Sequence, residues 1–104
     1  MEAAASGAKD KINASAGVVV VPGVAGQRLS LKSLFISCSA AAAVTILDEA
    51  GVVVWPTGYF PANGGLVRDN ISRSRFRASQ QGMGFVVKSS GADLLSCAIE
   101  AFVD

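Results

Sequence analysis

Histidine is absent from this chain of 104 residues, and the commonest general base and metal ligand goes with it. A Ser-His-Asp or Cys-His nucleophile is therefore excluded. The only cysteines, Cys38 and Cys97, stand far apart, and no C-x-x-C or H-x-x-x-H spacing marks a zinc site. The phosphate loop G-x-x-x-x-G-K-[ST] is also missing. Gly23 and Gly26 precede an expected strand, so no helix N-terminus is there to hold a phosphate. No apolar run approaches the roughly 20 residues of a membrane-spanning helix. Lys plus Arg (9) against Asp plus Glu (8) leaves a net charge of +1, too little to attract a polyanion globally. No catalytic residue, cofactor or metal is expected, and neither nucleic acid nor membrane is an expected partner.

What is present is apolar and β-forming. Hydrophobic residues make up 51% of the chain, supplied by Ala and Val rather than by aromatics at 7%, and the length suits one domain with one core. In the final run Leu95, Cys97, Ile99, Ala101 and Val103 alternate with Leu94, Ser96, Ala98, Glu100 and Phe102, the period of a half-buried strand. Phe85 to Lys88 precedes it across a Ser/Gly/Asp turn. Val18 to Val21 is a β-branched run stopped by Pro22-Gly23. From Gln27 to Ser39 a long strand is expected; its apolar phase slips between Leu31 and Leu34, which predicts a bulge near Lys32 and Ser33. Ala43 to Leu47 and Val52 to Trp55 flank a tight turn at Asp48-Glu-Ala-Gly51, the clearest hairpin in the chain. Asp48-Glu49 reads as the solvated tip of that turn rather than as a calcium site.

Pro56, Gly58 and Pro61 then punctuate an edge or corner, Ala62-Asn-Gly-Gly65 is a turn, and short strands are expected at Leu66 to Arg68 and Arg75 to Ala78. About eight strands with turns every 8 to 14 residues indicate an all-β sandwich or jelly roll. Residues 1–16 are Ala-rich and aperiodic and read as an N-terminal arm, mobile or briefly helical, ahead of a domain at 17–104. Glu2 and the lack of an apolar segment near the start do not suggest a secretory signal, so a cytoplasmic chain with two buried, reduced cysteines is expected. Asn13-Ala-Ser15 and Asn70-Ile-Ser72 are then chance matches to a glycosylation triplet.

Two clusters stand out as surfaces. Arg68, Arg73, Arg75 and Arg77 crowd ten residues around Phe76, and on a strand Arg73, Arg75 and Arg77 would share one face. That stripe suits carboxylates on a partner protein. It also suits a solvated edge that discourages aggregation, or, less well, a single-stranded nucleic acid. Trp55, Tyr59 and Phe60 either cap the sandwich end, anchor an interface or form a sugar platform.

The ordered set Ala25-Gly-Gln-Arg-Leu-Ser-Leu31, Val44-Thr-Ile-Leu-Asp-Glu-Ala-Gly51, Ala62-Asn-Gly-Gly65, Phe76 before Gly82-Met-Gly-Phe85, and Leu94 to Val103 resembles the small capsid decoration, or cement, proteins of tailed bacteriophages. The likeness covers roughly residues 17–104 and lies in strands and glycines. It implies a jelly-roll β-sandwich of about eight antiparallel strands, made in the host cytoplasm and carried on the capsid surface of the virion. A homotrimer would clamp the major capsid protein lattice, with contacts from Arg68, Arg73, Arg75, Phe76, Arg77, Trp55 and Tyr59. The basic segment at Arg73 to Arg77 and the arm depart from the family pattern. A glycan-binding jelly-roll module of a phage fibre or tail, used in host adsorption, is the alternative.

Overall fold

β-Branched runs separated by Gly, Pro and Asn turns give eight strands in the computed structural model, which describes residues 4–90 and 94–104. They are β1 (Ala4–Asn13), β2 (Val18–Val21), β3 (Leu29–Cys38), β4 (Ala42–Asp48), β5 (Val53–Phe60), β6 (Gly65–Arg68), β7 (Phe85–Ser89) and β8 (Leu94–Val103). Four antiparallel pairs, β1 with β8, β2 with β7, β3 with β6 and β4 with β5, are those of one long ribbon folded at the β4–β5 hairpin. Wrapping the ribbon sets β3 beside β8 and β4 beside β7. Two four-stranded sheets result, β1-β8-β3-β6 and β2-β7-β4-β5, packed as a β-sandwich.

Alternation decides which side chains fill the space between the sheets. Leu95, Cys97, Ile99 and Ala101 of β8 are buried beside Leu29, Leu31, Leu34 and Ile36 of β3, and they meet Val44, Ile46, Phe85 and Val87 from the other sheet. Each large side chain buried this way contributes about 1.5–3 kcal/mol. The expected bulge is found: Leu31 pairs with Ala101 and Ser33 with Glu100, so Lys32 is the extra residue that restores the inward phase at Leu34. Cys38 and Cys97 are both buried and free of a disulfide.

The N-terminal segment differs from its expectation. Ala4–Asn13 is not an arm but the edge strand β1, hydrogen-bonded along β8. Its Ala and Gly residues carry no apolar period, yet their small size lets β1 approach the second sheet. A Cβ at Gly7 would lie 1.8 Å from the Val20 carbonyl oxygen, so only glycine fits there. Residues 1–3 of the expected arm, and residues 91–93 of the expected turn before β8, lie outside the described residues.

Two further elements shift. β5 runs on through Pro56 to Phe60. It can do so because it is an edge strand: Ile46 pairs with Trp55 and Val44 with Gly58, leaving Pro56 and Thr57 in a bulge opposite Thr45. The strand expected at Arg75 to Ala78 is reduced to one bridge, Ser30 with Arg77, flanked by Leu31 N donating to Phe76 O (2.7 Å) and Ala78 N to Leu29 O (2.9 Å). β6 already occupies β3 from Leu34 to Ser37, so little of that edge is left.

Candidate functional site

The irregular segment between β6 and β7, residues 69–84, carries most of the singled-out arginines. It is held to the sandwich from end to end. Ile71, buried, donates its amide to Lys32 O (3.0 Å), Arg28 Nε donates to Ala78 O (2.6 Å), and Gly82 N to Gln27 O (2.8 Å). The strongest tie is Asp48 at the end of β4, which is 1% exposed. Its Oδ1 accepts the amides of Ala50 (2.9 Å) and Val52 (3.0 Å), and its Oδ2 accepts the Ser79 amide (2.8 Å) and the Ser79 hydroxyl. Burial works to raise the Asp48 carboxyl, but these bonds, led by those from Ser79, outweigh it and hold the group below the ordinary 3.8. Next to it, Glu49 Oε1 accepts the Gly84 amide at 2.6 Å. Asp48 is thus a buried structural clamp rather than a solvated tip, and the exposed Glu49 adds one tie beside it.

On this tethered segment the arginines do not form a stripe. Ser74 has a φ of 65° and Arg75 N closes a turn onto Ser72 O, which breaks the alternation that a shared face needs. Two aromatic centres receive the cations instead. The rings of Trp55 and Phe76 lie 4.7 Å apart, tilted by 56°, with the Arg68 guanidinium 5.7 Å from the Trp55 centroid and that of Arg75 5.5 Å from the Phe76 centroid. On the other side of Ser30, Arg73 sits 4.5 Å from the Phe102 centroid and pairs with Asp104, and Lys32 stands 5.6 Å from the same ring. Arg77 is exposed, its backbone held by the bridge to Ser30.

The structure therefore joins Trp55, Phe76, Arg68 and Arg75, sets Arg73 apart on Phe102, and leaves Tyr59 alone at 83% exposure. Trp55 and Phe60 pack against the core, so two of the three clustered aromatics of the sequence cap the sandwich and Tyr59 stands apart from them. The exposed ring contacts of Arg68 and Arg75 contribute about 0.5–1 kcal/mol each and leave their guanidinium edges able to donate to a carboxylate in a bidentate pair. Among the described residues no carboxylate pairs with Arg68, Arg75 or Arg77. The arrangement is a preformed cationic surface. Among the described residues no three Asp, Glu or Cys side chains gather as a metal site.

Sequence reasoning missed Asp48 and Ser79, which lie 31 positions apart, and Phe102 as the seat of Arg73. The second had a signal in the outward phase of the closing strand. Comparison with known proteins gives no match to a family model, to a curated protein or to a solved structure.

Proposed function

We propose that the sandwich is a jelly roll and that the protein is a capsid decoration protein, a homotrimer that binds the assembled major capsid protein lattice on the virion surface. The pairing of β1 with β8, β2 with β7, β3 with β6 and β4 with β5 supports the fold reading, because a jelly roll is one antiparallel ribbon wrapped into two sheets. The motif resemblance supports the class. The single observation that carries the contact surface is that the end of β6 and the loop after it present Arg68, Arg75 and Arg77 with no carboxylate partner among the described residues, while the loop backbone is tied to the sandwich.

Such a surface binds acidic groups with little ordering cost, since the guanidinium groups are already stacked or flanked by fixed backbone. Its action is mass action: a protein that binds only the assembled shell stabilises the shell over free subunits. Coexpression with the major capsid protein of the same genome tests the reading. The chain should run as a trimer, co-sediment with assembled shells and stay apart from unassembled subunits. A monomer that ignores shells would refute it.

A further inference from the structure

We propose that Asn63 is a site of spontaneous deamidation in the folded protein, its carboxamide closing on the Gly64 nitrogen to a succinimide that water opens to aspartate or isoaspartate. Of the three asparagines only Asn63 is followed by glycine. A glycine there leaves the attacking nitrogen unshielded and its peptide free to turn. Pro61, Ala62, Asn63 and Gly64 make the turn between β5 and β6, closed by Gly64 N donating to Pro61 O (2.9 Å), with Asn63 at a φ of 60°. Asn63 is exposed, and its carboxamide makes no hydrogen bond to any described residue.

The other two asparagines are held where Asn63 is not. Asn13 Oδ1 accepts the Ser15 amide (3.0 Å), and the next residue, Ala14, is buried with its carbonyl accepting Gly17 N and Ser89 N (3.0 Å each). Asn70 precedes Ile71, β-branched and buried, whose amide donates to Lys32 O (3.0 Å). In both places the residue that would supply the attacking nitrogen is anchored by the fold. At Asn63 that nitrogen has one hydrogen bond to lose. Turning the Asn63–Gly64 peptide breaks the bond to Pro61 O, while the Gly64 carbonyl keeps its bond from Cys38 N (2.9 Å) because glycine accepts the new φ. One such bond slows ring closure by no more than about tenfold.

The Gly64 amide gives its proton to hydroxide, and its nitrogen bonds to Asn63 Cγ. The Cγ–Nδ2 bond breaks, and Nδ2 takes a proton from water and leaves as ammonia. Water then adds to either ring carbonyl. Cleavage of the new N–Cγ bond gives aspartate; cleavage of the original peptide bond leaves the chain running through Cγ, as isoaspartate. Water reaches the ring from an open hollow of about 260 Å³ that Asn63 lines with Ser37, Ser39, Ser96 and Lys11. The product carries one more negative charge, which takes the net charge from +1 to zero. The site stands whether or not the arginine loop binds a capsid.

The full chain and a synthetic peptide of residues 59–67, incubated together in mildly alkaline bicarbonate buffer, test this. Ion exchange and intact mass follow the new charge, and peptide mapping places it. The chain should convert at Asn63 alone, within about tenfold of the peptide's rate, and faster in proportion to hydroxide. Asn63→Gln should stay unmodified over the same period, because its longer side chain closes a larger ring. Conversion through global unfolding alone would run at least about a thousandfold slower than in the peptide. A rate in the chain more than about tenfold below the peptide's would overturn the proposal. Conversion of Asn13 or Asn70 as fast as Asn63 would overturn it equally.

Discussion

Residues 4–13 and 69–84 are both poor in large apolar side chains, yet the first is a ten-residue strand and the second makes a single bridge. The available edge accounts for the difference. β8 offers one whole side to β1, whereas β3 has given Leu34 to Ser37 to β6 and keeps only Leu29 to Lys32 for the loop. Backbone groups must still be satisfied. β1 satisfies them by a ladder; the loop satisfies them piecemeal, through Arg28, Ser30 and above all Asp48. Strand formation here follows the open edge more than local propensity.

Breaking the loop's side of this contrast should have the largest effect. Asp48→Ala removes the buried acceptor of three amides and a hydroxyl, and should cost about 3 kcal/mol, read as a lower urea midpoint. The same carboxylate sets an acid dependence. Because its folded pKa lies below the ordinary 3.8, its stabilisation is fully present above that value and is lost as pH falls through the folded pKa. Asp48→Asn should therefore flatten the acid limb of a stability-against-pH curve; an unchanged limb would show that other carboxylates govern it.

The strand side comes next. Gly7→Ala forces a Cβ onto the Val20 carbonyl, and should lower stability by about 2 kcal/mol while deprotecting β1 amides in hydrogen exchange. Protection equal to the parent's would mean that β1 does not need the close approach. Smallest is the effect of the cations on folding. Arg75→Ala removes one exposed ring contact and should shift stability by less than about 1 kcal/mol, because the loop is held by its backbone and by Asp48.

The same contrast explains what could be read before the fold was known. The Lys32 bulge was legible because the apolar phase of Leu29 and Leu31 returns out of step at Leu34 and Ile36. The closing strand was legible by its strict alternation. β1 was not, since Ala, Ser and Gly carry no period and its place depends on an edge formed some ninety residues away. Arg75-Phe76-Arg77 imitates a strand, but the positive φ at Ser74 and the occupied edge of β3 overrule it. At the site, the cations were visible in composition while their partners were not: Trp55 meets Phe76, and Arg73 meets Phe102, only through the wrapping of the ribbon.

The central claim is that the tethered arginine loop presents charge to an assembled shell without supporting the fold itself. Co-sedimentation of the double variant Arg75→Glu with Arg77→Glu, beside the parent, on shells of the major capsid protein tests this most directly. The account predicts a folded variant with parental urea stability to within about 1 kcal/mol and no shell occupancy. Full occupancy by the folded variant would contradict it.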